Sequence, residues 1–325
     1  MLFLCCVLLA CESIHDEPEG EGMNPNRVTV YIDFSFTETT LNPIPHTASR
    51  SSAIKINPFD DHQLRYIVEI YPESGGSVPV HRFVKYSNQL KDYEVSHTVT
   101  LNASSYTVLA WVDYVPQNTT ADYLYNTQSL KSVTLKAPYI GSAHAKDAFS
   151  AKTQLSLKTH DGGESSYARK TIELKRPLSS FVIIATDMDE YLLEQGGGLA
   201  DADIPVSTQL TYLPSLAISY DVGGNKCQYS DKEEYLGTVI DHTEESCIVA
   251  YDYVLMDSES TNVEISFDIH SLNGVLINRI ENLKIPLRRN SQTIVRLPCL
   301  IPSSGNGGID INDGFDDFLD VPIPD

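Results

Sequence analysis

Residues able to do chemistry are plentiful in this chain, but their spacing does not assemble them. There are nine histidines. Those at His46, His62 and His160 sit among polar loop residues, while His81, His97 and His270 fall in strand-like runs, where an imidazole more often faces solvent than binds metal. Asp60-Asp61-His62 reads as a turn. Asp310-Ile311-Asn312-Asp313-Gly314 sets oxygen ligands beside a glycine. It misses the sixth-position glycine and twelfth-position glutamate of a calcium hand, so it reads as solvated tail. Neither a C-x-x-C nor zinc spacing occurs. G-x-S-x-G, H-E-x-x-H, a P-loop and a strand-linked G-x-G-x-x-G are absent too. The chain therefore reads as non-enzymatic, with no catalytic residue, metal or cofactor. Among Cys227, Cys247 and Cys299 at most one internal bridge can form. Cys227 with Cys247 is the better pair, since the two flank a plausible loop and Cys299 sits at a strand end; three inert thiols are the alternative.

The elements that must position these residues are strands almost throughout. Arg27 to Phe36 (RVTVYIDFSF) alternates with period two and sets Val28, Val30, Ile32, Phe34 and Phe36 on one face. Similar runs recur at Gln63 to Tyr71, Val78 to Lys85, Val95 to Leu101, Ser105 to Tyr114, Val133 to Lys136, Thr153 to Lys158 and Ala168 to Lys175. They resume at Ser179 to Thr186, Val206 to Leu213, Cys247 to Met256, Val263 to His270, Val275 to Ile280 and Thr293 to Leu297. Pro72-Glu73-Ser74-Gly75-Gly76 supplies a hairpin turn between the second and third. Many short strands at ~8–12-residue spacing imply an all-β sandwich rather than an α/β sheet. Only Asp187 to Gln195 carries helical periodicity, stopped by Gly196-Gly197-Gly198, with a short turn expected at Asp122 to Leu130. Trp111 alternates in step with Leu109 and Val115, which favours a core tryptophan over a sugar platform.

Length and punctuation suggest two domains. Pro177 disfavours continuation of a central strand, so the boundary is placed at Arg176-Pro177: residues 27–176 and 177–301 each hold six to eight strands. Residues 302–325 form an acidic tail whose Phe318, Val321 and Ile323 suit an extended segment packed along a sheet, its own or a partner's. The formal net charge of −21 argues against nucleic acid or an anionic membrane face as partner.

At the start, an apolar run of ten residues ends in Leu8-Leu9-Ala10-Cys11. That is half the ~20 residues needed to span a bilayer and the length of a signal-peptide core. The four residues resemble a bacterial lipobox, which implies that residues 1–10 are a signal peptide and that Cys11 carries lipid. Residues 11–26 then form a lipidated cysteine with an acidic tether, since Glu12 to Gly22 (ESIHDEPEGEG) holds too little apolar surface to order itself. Acidic residues behind a lipidated cysteine resemble the surface-export signal of Bacteroidetes lipoproteins, implying a lipid-anchored, surface-exposed position on the outer membrane.

The opening C-E-S-I-H-D-E resembles the start of fimbrial anchor and accessory lipoproteins of Bacteroidales. RYIVEIYPESGGSVPVHRFVKYSN, YTVLAWVDYV, DYLYNT, KDAFSA, ELKRPLSSFVIIATD and the closing GIDINDGFDDFLDVPIP are similar to a domain of those surface lipoproteins, over Cys11 to Pro324. The resemblance implies two tandem Greek-key, transthyretin-like β-sandwiches and a role in type V pili or a related structure. In those pili a protease removes a subunit's first strand after an arginine, and a neighbour's strand fills the groove. Arg27 and Arg50 are the arginines near the first strand. Both are candidate processing sites, and whether either is cut separates a shaft subunit from an anchor. A lipidated end and an acidic tether suit a terminal component, so the reading is an uncut anchor or accessory subunit that retains Val28 to Phe36 and meets pilin-like subunits by strand exchange. A surface lipoprotein that binds glycan or a host protein, independent of any pilus, remains the alternative.

Overall fold

The computed structural model describes residues 26–36, 61–88, 95–158, 166–196, 199, 203–214 and 216–301, with the backbone of 44–45, 53–54 and 308–313. Strands are numbered β1 to β21 along the chain. Cys11, Arg50, the residues 12–22 and the tail positions Phe318, Val321 and Ile323 lie outside the described residues.

Seven strands build a first sandwich: β1 (Arg27–Phe36), β4 (His62–Pro72), β5 (His81–Ser87), β6 (His97–Asn102), β7 (Ser105–Pro116), β10 (Ala148–Ser156) and β11 (Ser166–Leu174). They form sheets of order β11-β1-β6 and β10-β7-β4-β5. β2 (Ile44–Pro45) and β3 (Ala53–Ile54) form a two-stranded ribbon. The second sandwich uses β12 (Leu178–Ala185), β13 (Pro205–Leu213), β16 (Glu233–Thr238), β17 (Cys247–Leu255), β18 (Ser260–Ser271), β19 (Leu276–Arg288), β20 (Ser291–Leu297) and β21 (Gly308–Asp313). Its sheets run β17-β12-β20-β21 and β16-β13-β18-β19.

The two sandwiches repeat one plan. In each, the first strand lies inside a sheet between the last-but-cap strand, which runs parallel to it, and an antiparallel neighbour. β1 lies between β11 and β6, and β12 between β20 and β17. One difference separates them: in the second sandwich β21 pairs along the outer side of β20, whereas β11 has a strand on one side only among the described residues. Residues 308–313 of the expected extended tail thus lie on the chain's own sheet.

Burial explains the local structure. β1 alternates, turning Val28, Val30 and Ile32 inward, as a half-buried strand must. β12 and β17 are buried on both faces, which is why they read as near-continuous apolar runs. The hairpin between β4 and β5 forms at the expected glycines, with φ of +95° at Gly75 and +146° at Gly76. The helix α1 (Met188–Glu194) stands where helical periodicity placed it, and the Asp187 carboxylate before it accepts the backbone N–H groups of Cys299, Leu300 and Ile301 at 3.1, 2.9 and 2.9 Å.

The stretch 217–238 departs from the sequence reading. Where no strand was expected, it holds β14 (Ala217–Asp221), β15 (Lys226–Tyr229) and β16. β14 and β15 extend a sheet with β8 (Tyr125–Asn126) and β9 (Val133–Leu135), and Ala217, Tyr220 and Val222 join the apolar core of the first sandwich. A cut at Arg176-Pro177 therefore does not divide the chain into two self-contained cores. This also corrects the expected Cys227–Cys247 bridge. Cys227 packs against the first core and Cys247 is buried in the second; both thiols, and that of Cys299, are free. Burial holds the Cys227 and Cys247 thiols up at about 12.

Candidate functional site

The first strand is the residue set that sequence reading singled out and the structure brings together. Val28, Val30 and Ile32 are fully buried in the first core. Phe34 and Phe36 are partly buried and pack on it, Phe34 against Tyr66 at 5.1 Å between rings and Phe36 edge-on to Phe149 at 4.9 Å. β1 is bonded to β11 from Val28↔Ser166 to Phe36↔Leu174 and to β6 from Arg27↔Asn102 to Ile32↔His97. Burying Val28, Val30 and Ile32 contributes on the order of 5–9 kcal/mol at ~1.5–3 per side chain. Without β1, the edges of β6 and β11 would face each other across an apolar slot.

The two arginines are not equivalent with respect to that slot. Arg27 is exposed and is the first residue of β1. A cut after it would leave Val28 to Phe36 in place, so it would not open the groove. A cut after Arg50 would detach the whole of β1.

A second constellation lies where the sandwiches meet, and sequence reading missed it. Lys146, on a 3-10 turn at His144–Lys146, reaches Asp252 on β17: Nζ donates to Oδ1 at 2.6 Å, and both side chains are excluded from solvent. Tyr139 and Tyr212 donate their hydroxyls to Oδ2 of Asp252 at 2.6 and 2.7 Å, and the Tyr253 N–H donates to Oδ1 at 2.8 Å. Burial lowers the Lys146 pKa, opposed by Asp252, and burial beside Asp252 pushes both phenols well up. Next to it the Arg176 guanidinium donates to both oxygens of Asp147 and, through Nη1, to Asn290 at 3.2 Å. A buried ion with all its partners supplied costs little, whereas one deprived of a partner costs much. These pairs lock the junction and do not form an open reactive site.

The quoted motifs explain themselves in these terms. RYIVEIYP, YTVLAWVDYV and DYLYNT supply Arg65, Asp113 and Asp122: Arg65 donates to Asp113 at 2.9 Å (Nε) and 2.6 Å (Nη2), and to Asp122 at 2.6 Å. KDAFSA supplies Lys146 and Asp147, and ELKRPLSSFVIIATD supplies Arg176 and Asp187. Arg65, Asp113, Lys146, Asp147, Arg176 and Asp187 are internal struts, whereas Glu73, Glu173 and Lys175 of the same motifs are exposed. Trp111 is buried in the first core, as its alternation implied. His81 and His97 meet at 3.1 Å between Nε2 atoms, though sequence reading set them apart.

Residues 24–324 match the model of a family described as a family of unknown function, DUF6562. The chain belongs to that family. No curated protein matches this DUF6562 chain. Among solved structures it is similar to a DUF1812 protein of Bacteroides thetaiotaomicron for which polysaccharide binding has been suggested. There the TM-score is 0.50 at 11% identity, over 90% of this chain and 98% of that one. It is also similar to the fimbrial anchor protein Mfa2 of Porphyromonas gingivalis, with TM-score 0.48 and 14% identity over 88% of this chain and 96% of that one. The tip fimbrial protein Mfa3 of the same organism follows at TM-score 0.40 and 10% identity, over 88% and 99%. At 11% identity, what the likeness of this DUF6562 chain to the DUF1812 protein shows is a shared fold.

Proposed function

We propose that the chain is a non-catalytic cell-surface protein of a fimbria-like assembly, an anchor or accessory subunit acting in adhesion or assembly. The observation that carries this reading is the place of β1. It runs inside its sheet with partners on both sides, and its own Val28, Val30 and Ile32 fill the slot that a donor strand would otherwise fill. A subunit completed in this way does not need a neighbour's strand and suits the end of a fibre. The sequence resemblance to fimbrial anchor and accessory lipoproteins supports the same reading. Cys11 then carries the lipid, residues 12–22 form the tether to the outer membrane, and pilin-like subunits are the partners by strand exchange. No helix among the described residues is long and apolar enough to cross a membrane.

The test is mass spectrometry of the protein from outer-membrane fractions of its native host, with surface protease shaving in parallel. An acylated Cys11 with an intact Val28 to Phe36 and co-purifying pilins supports the anchor or accessory reading. A new N-terminus at Ser51 would make the chain a shaft subunit with an open groove. An acylated Cys11 with no pilin in any fraction would favour the surface lipoprotein that binds glycan or a host protein.

A further inference from the structure

Surface ion pairs stay ionic because water solvates both charges. Lys146 and Asp252 are held differently. Their side chains are 1% and 0% exposed, with Nζ 2.6 Å from Oδ1. Two other lysine–carboxylate pairs, Lys232 with Glu234 and Lys284 with Glu264, reach solvent. The buried pairs Arg65–Asp113 and Arg176–Asp147 use guanidinium groups, which stay protonated and are not nucleophiles. Lys146 and Asp252 thus bring an amine and a carboxyl group into contact in a dry site, where a lysine can act as a nucleophile.

The hydrogen bonds around the pair are those a condensation needs. Lys146 Nζ donates to the Tyr139 hydroxyl at 2.5 Å, and that hydroxyl donates to Asp252 Oδ2 at 2.6 Å. A proton can therefore pass from the nitrogen to Oδ2 through one phenol. Tyr212 donates a second hydroxyl to Oδ2 at 2.7 Å, and the Tyr253 N–H donates to Oδ1 at 2.8 Å. Oδ2 is the oxygen placed to collect protons and leave. Oδ1 keeps a backbone donor for the charge it carries when the carbon becomes tetrahedral. Burial, which lowers the Lys146 pKa, favours the neutral amine. A cavity of about 10 Å³ lined by Leu124, Leu135, Tyr139 and Lys146 adjoins the pair and has the size of about one water.

We propose that Lys146 and Asp252 condense to an intramolecular isopeptide bond, a self-made covalent cross-link between the two sandwiches. The ammonium first gives a proton to Oδ2 through Tyr139. The nitrogen lone pair then attacks Cγ of Asp252 and forms the Nζ–Cγ bond. A second proton follows the same route from nitrogen to Oδ2, the Cγ–Oδ2 bond breaks, and Oδ2 leaves as water. Ammonium plus carboxylate becomes amide plus one water, so atoms and charge balance with no co-reactant.

Holding the two groups in contact makes the step intramolecular, for which effective concentrations reach about 10⁵–10⁸ M. The product also removes two buried charges, whose desolvation is costly. The bond ties the 3-10 turn ahead of β10 to the middle of β17, 106 residues further on. It forms whether or not the chain enters a fibre.

Mass spectrometry of the full chain, folded and then denatured, tests this. The parent is expected to be lighter than its sequence by the mass of one water. Trypsin should leave Lys146 uncut and release residues 137–152 joined to 233–279 as one branched peptide. Lys146→Arg, which keeps the charge, and Asp252→Ala are both expected at full mass. Tyr139→Phe, which removes the relay, should lose the water at least roughly tenfold more slowly in freshly made protein. A parent at full mass whose Lys146 is cut by trypsin overturns the proposal. So does a loss of water that persists in Lys146→Arg. A Tyr139→Phe chain that loses water as fast as the parent overturns the proton route.

Discussion

Lys146 Nζ and Asp252 Oδ1 meet at 2.6 Å across the junction of the two sandwiches, with neither side chain reaching solvent. One comes from a 3-10 turn of the first half and the other from the middle of β17. A lysine and an aspartate 106 residues apart therefore decide whether the halves move as one piece.

Breaking that pair from one side should be costly. Lys146→Met strands a buried carboxylate, and Asp252→Asn strands a buried ammonium; each is expected to lose about 3–5 kcal/mol in urea unfolding followed by circular dichroism. Lys146→Met/Asp252→Leu should lose clearly less than the two together. Additive losses would show that the pair is not a coupled unit.

The first strand offers a graded test. Ile32→Ala empties a fully buried position and should cost about 2–5 kcal/mol. Tyr31→Ala, next to it on the same strand but 40% exposed, should stay within about 0.5 kcal/mol. Equal effects at both positions would mean that β1 does not present these faces.

Acid should weaken the fold through its buried histidines before Asp122, Asp257 and Asp268 titrate. Burial lowers the His144 pKa from 6.5 to about 4, and burial also lowers His81 and His97. A histidine whose folded pKa lies below its unfolded value favours the neutral fold. Its contribution is intact above pH 6.5 and is lost as pH falls toward the folded value. For His144 alone that is about 3 kcal/mol over the window from 6.5 to 4, at 1.36 kcal/mol per unit. Asp122, Asp257 and Asp268 are lowered as well, so their contributions vanish only below that window. Urea midpoints should therefore drop between pH 6.5 and 4, and His144→Phe should shallow the slope. A flat profile in the parent protein would contradict this.

The thiols should be quiet. With Cys247 at about 12 and Cys299 pushed well above the ordinary range by burial, alkylation by iodoacetamide at pH 8 should modify neither until urea unfolds the chain. Intact-mass measurement without reductant should show no loss of two hydrogen atoms per chain, the mark of a disulfide. A bridge found between Cys227 and Cys247 would require the two cores to exchange segments.

What was legible in the sequence follows from which signals are local. β1 was found to the residue, and α1 to within one, because alternation and a 3.6-residue period need no distant partner. β14, β15 and β16 were missed because Asp221-Val222-Gly223-Gly224-Asn225 reads as loop and the flanking strands are only four to six residues long. Their stability comes from β9 and β13, which no local pattern reveals. The junction escaped for the same reason. Lys146 looks like any surface lysine until Asp252 is folded over it. The motif KDAFSA was noticed, but its charges were not recognised as buried.

In both sandwiches the opening strand is hydrogen-bonded in parallel to a strand near the end of the same unit, β1 to β11 and β12 to β20. Tension applied at the entry of β1 and the exit of β11 pulls these two neighbours in opposite directions along their own axes. The hydrogen bonds between them are then loaded together rather than unzipped from one end. The link from β11 to β12 passes directly through Arg176, held by Asp147 and Asn290. A protein tethered at one end and dragged by flow at the other would meet that drag with two shear clamps in series.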